Sequence, residues 1–306
     1  MSNTADIKPF TNLDVNEVVN ALLKFSNTDE TLKALSDALS DANGLPYSQT
    51  FDKLVDFSSM SRYVLIIAAA DNGDIRVVKK MSSSVNSDIL DDVANRAAFR
   101  GHKDIVDFIL ATGNGDKEYI MVSAARGGHC DIVSSMLKIG AKSYDLSLKS
   151  AAGGGHNDIV KFMVKAGATR SGDLEANRCR PRGSIGYNSA MALAAVNGHT
   201  ETVKLLISLG ADNYNRALRD VAIRGGEMGN CNIDYSGVVN ELIRSGAMKY
   251  DKDVLYEAAN FGHSNVVKAM FLAGATDYEG ALNAAENAGH DHVVDMIYKF
   301  IYGNTD

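Results

Sequence analysis

From Tyr63 onward the chain alternates two kinds of apolar stretch. One is built of small residues, as in Ala124-Ala125, Ala151-Ala152, Ala194-Ala195 and Ala258-Ala259, and it runs into a glycine. Small residues let helices approach closely, and a following glycine suits a left-handed helix end. The other stretch opens on an acid, then an apolar pair, then more apolar residues one turn later. Asp104 leads Ile105-Val106 and Phe108-Ile109-Leu110, and Asp158 leads Ile159-Val160 and Phe162-Met163-Val164. That is the i, i+3, i+4, i+7 stripe of an amphipathic helix. The second helix ends at another glycine, in Gly140-Ala141, Gly167-Ala168, Gly210-Ala211, Gly246-Ala247 and Gly274-Ala275. Tyrosines then recur at one offset, Tyr144, Tyr214, Tyr250 and Tyr278, which reads as a staple between neighbouring units. Each is followed by a polar residue, Asp145, Asn215, Asp251 or Glu279. The Asp and Asn among them are expected to cap the next helix.

The alternation is periodic. The glycine of the Gly-His pair falls at 101, 128, 155, 198, 262 and 289, with Gly73 and Gly225 in the same context without histidine. The steps are 28, 27, 27, 43, 27, 37 and 27, so six of the seven histidines hold one repeat position. The period is 27, with 16 additional residues in the fourth unit (near 170–188) and 10 in the sixth (near 227–236). A helix pair of this size cannot bury its own apolar face, so the units must stack.

The strings SAARGGHCDIVSSMLKIGA and SAAGGGHNDIVKFMVKAGA resemble the ankyrin repeat, from roughly Tyr63 to Gly303. The resemblance implies an all-α helix-turn-helix solenoid of about eight repeats over residues 61–306, preceded by an acidic helical region over 1–60. Ankyrin repeats usually run to about 33 residues and open with Thr-Pro-Leu-His. Here that opening is missing, and about six residues are lacking before the first helix, where the family has a protruding β-hairpin. Compact joints such as Gly210–Leu218 look like the ankyrin proteins encoded by giant DNA viruses of amoebae, which implies a viral, intracellular protein in the host cytoplasm.

Composition bounds the partners. The 306 residues are 45% apolar and 23% charged, with a formal charge of −7, which argues against general attraction to nucleic acid or anionic membrane. The apolar run Tyr63–Ala70 is too short to span a bilayer. Cys130, Cys179 and Cys231 are too few and too scattered for a disulfide framework, which fits a reducing interior. Leu13–Leu39 reads as two short helices that cap the stack. It also vaguely resembles an F-box, the basis of an alternative function as a ubiquitin-ligase substrate adaptor.

The glycine clusters lack phosphate-loop spacing, a following Lys-Ser or Lys-Thr, and a preceding strand, so they read as helix turns. The histidines are expected to form a ladder that bonds the turns, with the acids capping second helices. Zinc needs ligands that converge at about 2.0–2.1 Å, whereas stacked helices hold equivalent side chains about 8–10 Å apart. No nucleophile–base pair stands out, so no enzyme activity, cofactor or metal is expected. Arg178, Arg180 and Arg182 in the first insertion could meet phosphates, the basis of a second alternative, nucleic-acid contact. The leading expectation is a non-catalytic protein-interaction scaffold. Its candidate contact residues are Arg96, Arg100, Arg126, Arg224 and Phe261, where most other units differ, together with the insertion arginines. The sequence leaves the oligomeric state open.

Overall fold

The computed structural model describes residues 59–169, 186–225, 233–247 and 252–303, without the side chains of 59–62, 64 and 65. Outside the described residues lie most of the N-terminal region (1–58), Arg178, Arg180, Arg182, Tyr250, Asp251 and most of both insertions.

The described residues form sixteen α-helices and no strand. They fall into two compact units, divided between Ala141 and Lys142. The first unit contains three helix pairs: α1 (Ser59–Asn72) with α2 (Ile75–Met81), α3 (Ser87–Arg100) with α4 (Lys103–Ala111), and α5 (Lys117–Gly127) with α6 (Cys130–Lys138). The second contains five. They are α7 (Tyr144–Gly153) with α8 (Asn157–Ala166), α9 (Tyr187–Val196) with α10 (Thr200–Ser208), α11 (Tyr214–Arg224) with α12 (Ser236–Arg244), α13 (Lys252–Asn260) with α14 (Ser264–Leu272), and α15 (Tyr278–Ala288) with α16 (Asp291–Tyr302). The eight expected repeats are these eight pairs. No helix among the described residues is long and apolar enough to cross a membrane.

Within each unit the first helices lie side by side in one layer, and the first-helix layer is the more closely packed. The alanine pairs explain this. Ala97, Ala98, Ala124, Ala125, Ala151, Ala152, Ala194 and Ala195 are fully buried, so backbones meet with little side chain between them. Second helices interpose larger residues, such as Ile105, Ile109, Ile132, Met136, Ile159 and Met163, and stand further apart. The last pair departs from the pattern in one place. Glu286 is exposed where the equivalent residue of the other pairs, for example Ala98 or Ala259, is buried. No further pair follows within the described residues, and a polar residue there suits an outer face.

The short return loops are held by side chains. Gly115 N–H donates to Asp91 Oδ1 at 2.8 Å, and Thr169 N–H donates to Asp145 Oδ1 at 2.6 Å. Asn188 Oδ1 accepts from both Asp212 N–H (2.8 Å) and Asn213 N–H (3.0 Å), while its own amide donates to Asp212 Oδ1 (2.9 Å). Without a hairpin, the loop amides have no strand partner, and these side chains from the starts of first helices satisfy them. This corrects the expectation that Asp145 and Asn215 cap their helices. The caps are the residues before the tyrosines: Ser143 by backbone position, and Asn213 and Asp277 with side-chain bonds to Arg216 N–H and Gly280 N–H. A residue already inside the first turn points past its own amides toward the neighbouring loop. Asn188→Ala is expected to cost about 1–2 kcal/mol. Hydrogen exchange at the Asp212 and Asn213 amides would rise, and unchanged protection there would refute the clamp.

The two interruptions occupy different places. The first falls between two pairs, after α8 ends at Ala166 and before α9 begins at Tyr187. The second lies inside a pair, between the end of α11 at Arg224 and the start of α12 at Ser236. Within the second unit, the chain is thus interrupted at opposite ends of its helix pairs.

Candidate functional site

The Gly-His pairs are inter-repeat fasteners. His102 Nε2 lies 2.9 Å from Asp71 O, His129 Nε2 3.0 Å from Phe99 O, and His199 Nε2 3.0 Å from Gly153 O. His263 and His290 reach Ile223 O and Asn260 O in the same way, each at 3.0 Å. All five carbonyls end the first helix of the preceding pair, where the last four C=O groups have no intrahelical donor. A ring N–H supplies one. The expectation that His bonds a turn is thus sharpened: the turn belongs to the neighbour. The acid that follows sits in the first turn, where negative charge is favoured, and Asp104 Oδ1 accepts from Ile105 N–H at 2.9 Å.

The preceding glycine is required by the same contact. Gly101 has φ 88, and a Cβ there would lie 2.5 Å from His129 Nδ1. Gly73 meets His102, Gly155 meets His199 and Gly262 meets His290 in the same manner. Each of these four glycines makes room for the ring of the next pair.

The sixth pair does this differently. Tyr235 occupies the histidine position as the N-cap of α12, and its hydroxyl donates to Val196 O at 2.7 Å. Ile233 covers Gly198, where a Cβ would lie 2.5 Å from its Cγ2. Tyr235 is 1% exposed, and burial pushes its phenol above the usual tyrosine range, which keeps it a donor. The repeat register of this pair therefore resumes at Asp234-Tyr235, and the insertion ends sooner than the expected 236.

Burial, opposed by the bond to Gly153 and reinforced by charge on His156, holds His199 below the usual histidine value. The unfolded chain takes up that proton first, near pH 6.5. The contribution of His199 is therefore present above that pH and is lost as pH falls through its lower folded value. Urea midpoints of wild type and His199→Asn should converge as pH drops from 8 to 5. A constant gap would refute the assignment.

The histidines do not gather as ligands. In His290-Asp291-His292, His290 engages Asn260 O, and His292 Nε2 lies 2.9 Å from Gly262 O. Among the described residues no three His, Cys, Asp or Glu side chains come together as a metal site.

Of the expected tyrosine staples, Tyr278 joins two pairs, Tyr144 and Tyr214 contact their own pairs, and Tyr250 lies outside the described residues; Tyr187, which was not among them, also bridges two pairs. Tyr187 OH donates to Ala168 O at 3.2 Å across the first insertion. Tyr278 packs between Phe271 (centroids 4.7 Å apart) and Phe300 (6.2 Å). Tyr144 and Tyr214 lie at the glycines that end α8 and α12, namely Gly167 and Gly246.

What packing leaves over is displayed on the first helices and their turns. Arg96 and Arg100 both bond Asp71, a residue not singled out in the sequence. Arg100 and Arg126 each hold the guanidinium carbon 5.6 Å from the Phe99 ring centre. The first unit thus brings Arg96 and Arg100 together on Asp71, and Arg100 and Arg126 together around Phe99. Arg224 and Phe261 are exposed at equivalent positions of the second unit, at the ends of α11 and α13, and Phe261 stacks on His263 with centroids 6.2 Å apart. Exposed Tyr119 and Tyr256 also project from first helices, at 59% and 50% exposure. Sequence reading passed over them, although their signal was present: a large aromatic where the other copies vary.

Residues 120–217 match the ankyrin-repeat family model, in three copies. Among solved structures, the chain is similar to the human ASB11 ankyrin repeat domain, with 18% identity over 69% of this chain and 98% of that one, at a TM-score of 0.46. No curated protein matches.

Proposed function

We propose that this chain, with ankyrin repeats over residues 120–217, is a non-catalytic scaffold that recognises another protein through its first-helix faces and turns. Ankyrin repeats are generally protein–protein interaction modules. The observation that carries the reading is the placement of Arg100, Arg126, Tyr119, Tyr256 and Phe261. All are large and exposed, and each lies on a first helix of its own unit or on the turn that ends it. Histidines, alanines and glycines hold the stack, which leaves the outer faces of these side chains exposed. Aromatic and arginine side chains are the usual anchors of protein interfaces. A pre-stacked surface also loses little conformational freedom on binding. The few, scattered cysteines support an intracellular setting, and the compact joints support a viral source.

The test is affinity capture from the cell of origin with wild type and the variant Tyr119→Ser/Tyr256→Ser/Phe261→Ser. The wild type is expected to retain a partner that the variant loses. Capture unaffected by substitutions across the first-helix layer would overturn the proposal.

A further inference from the structure

Asp71, in the last turn of α1, has its side chain only 8% exposed, and two arginines of α3 take its two oxygens. Arg96 Nε donates to Oδ2 at 2.8 Å and Arg100 Nε donates to Oδ1 at 2.9 Å. Four residues apart, the two arginines leave the helix on one face. Both spend only Nε on Asp71, and a guanidinium carries four more N–H donors. Those outer groups make no further hydrogen bond or ion pair among the described residues. Asp92, one turn before Arg96, is hydrogen-bonded with Tyr63. Arg126, across the Phe99 ring from the next first helix, adds a third positive charge.

We infer that this cluster is a subsite for an acidic segment of a partner protein, with one carboxylate on each of Arg96 and Arg100. The inference rests on the recognition reading above and names the chemistry of one part of that surface. The flat Nη edge of a guanidinium matches a carboxylate in a bidentate pair. Arginines four apart on a helix stand about 5–6 Å apart at Cβ. Alternate residues of an extended segment point to one side about 6.6 Å apart, so Glu-x-Glu in extended form fits both. Asp71 fixes the two side chains before the ligand arrives, so less rotamer freedom is lost on binding.

The experiment is fluorescence anisotropy on the full chain. The probes are a labelled peptide of alternating glutamate and serine, its glutamine counterpart and a version phosphorylated on serine with glutamine in place of glutamate. The glutamate peptide is expected to bind and the glutamine peptide to fail. Arg96→Gln and Arg100→Gln should each weaken binding about tenfold. Arg100→Lys, which keeps charge and fold but loses the flat edge, should also weaken it. Asp71→Asn is the decisive variant: it makes the patch more positive, yet it should weaken binding because the arginines are no longer held. Circular dichroism confirms that each variant keeps its helices. Tighter binding by Asp71→Asn would overturn the arrangement as the cause, and a tenfold preference for the phosphopeptide would overturn the carboxylate assignment. If the arginine variants bind the glutamate peptide as wild type does while the aromatic variant still loses its captured partner, the subsite falls and the recognition reading stands.

Discussion

Gly101→Ala is expected to destabilise the first unit by about 3 kcal/mol or more, the sum of two separate penalties. The first is conformational: φ is 88 at Gly101, and the left-handed region costs an L-residue about 1–2 kcal/mol. The second is steric, because the new methyl would meet the His129 ring, 2.5 Å from Nδ1. Gly113 separates the two. It also has positive φ (83), but an added Cβ there meets nothing within 4 Å, so Gly113→Ala should cost only about 1–2 kcal/mol. Urea denaturation of both variants checks the difference. A double-mutant cycle with His129→Ala goes further. On that background the ring is gone, and Gly101→Ala should cost no more than Gly113→Ala. Equal losses at the two glycines in the wild-type background would show that the ring contact carries no weight.

Tyr235→Ala is the second large effect, expected to cost the second unit about 3–5 kcal/mol. The side chain is buried and has no close substitute, since this pair lacks the histidine that fastens the others. Tyr235→Phe isolates the hydrogen bond. It keeps the ring but leaves Val196 O without its donor at the end of α9, at a cost of about 1–3 kcal/mol. Midpoints from circular dichroism, read with exchange at amides of α9 and α12, distinguish local from global loss. If Tyr235→Phe is as stable as wild type, the hydroxyl is not the fastener.

These two positions mark how far the sequence could be read. The glycine-histidine period gave the helix pairs, their number and the turns, because local rules set them. Apolar stripes specify amphipathic helices, and a glycine is needed wherever φ turns positive. The same period concealed what the histidine does. Its partner is a carbonyl 30 to 46 residues away in the chain, and no short window contains both ends. Tyr235 was hidden for a related reason: the insertion displaced it from the repeat spacing, and only the shared target, a helix-end carbonyl, reveals its equivalence to histidine. The first-turn acids and amides were misread as caps because capping is the local use of such residues. In the folded stack the next loop is the nearer claimant.

The candidate contact residues divide in the same way. Arg96, Arg100, Arg126, Arg224 and Phe261 could be picked out because they break the repeat. Their grouping could not, since it depends on Asp71 and Phe99, which look ordinary in the sequence. By itself the sequence determined an all-α array of eight helix pairs, through periodicities that act within one or two turns. Only the tertiary structure decided which side chains fasten one pair to the next and which stay exposed. That division depends on distances between residues 24 to 46 positions apart, which the packing of one repeat on another brings within hydrogen-bond reach.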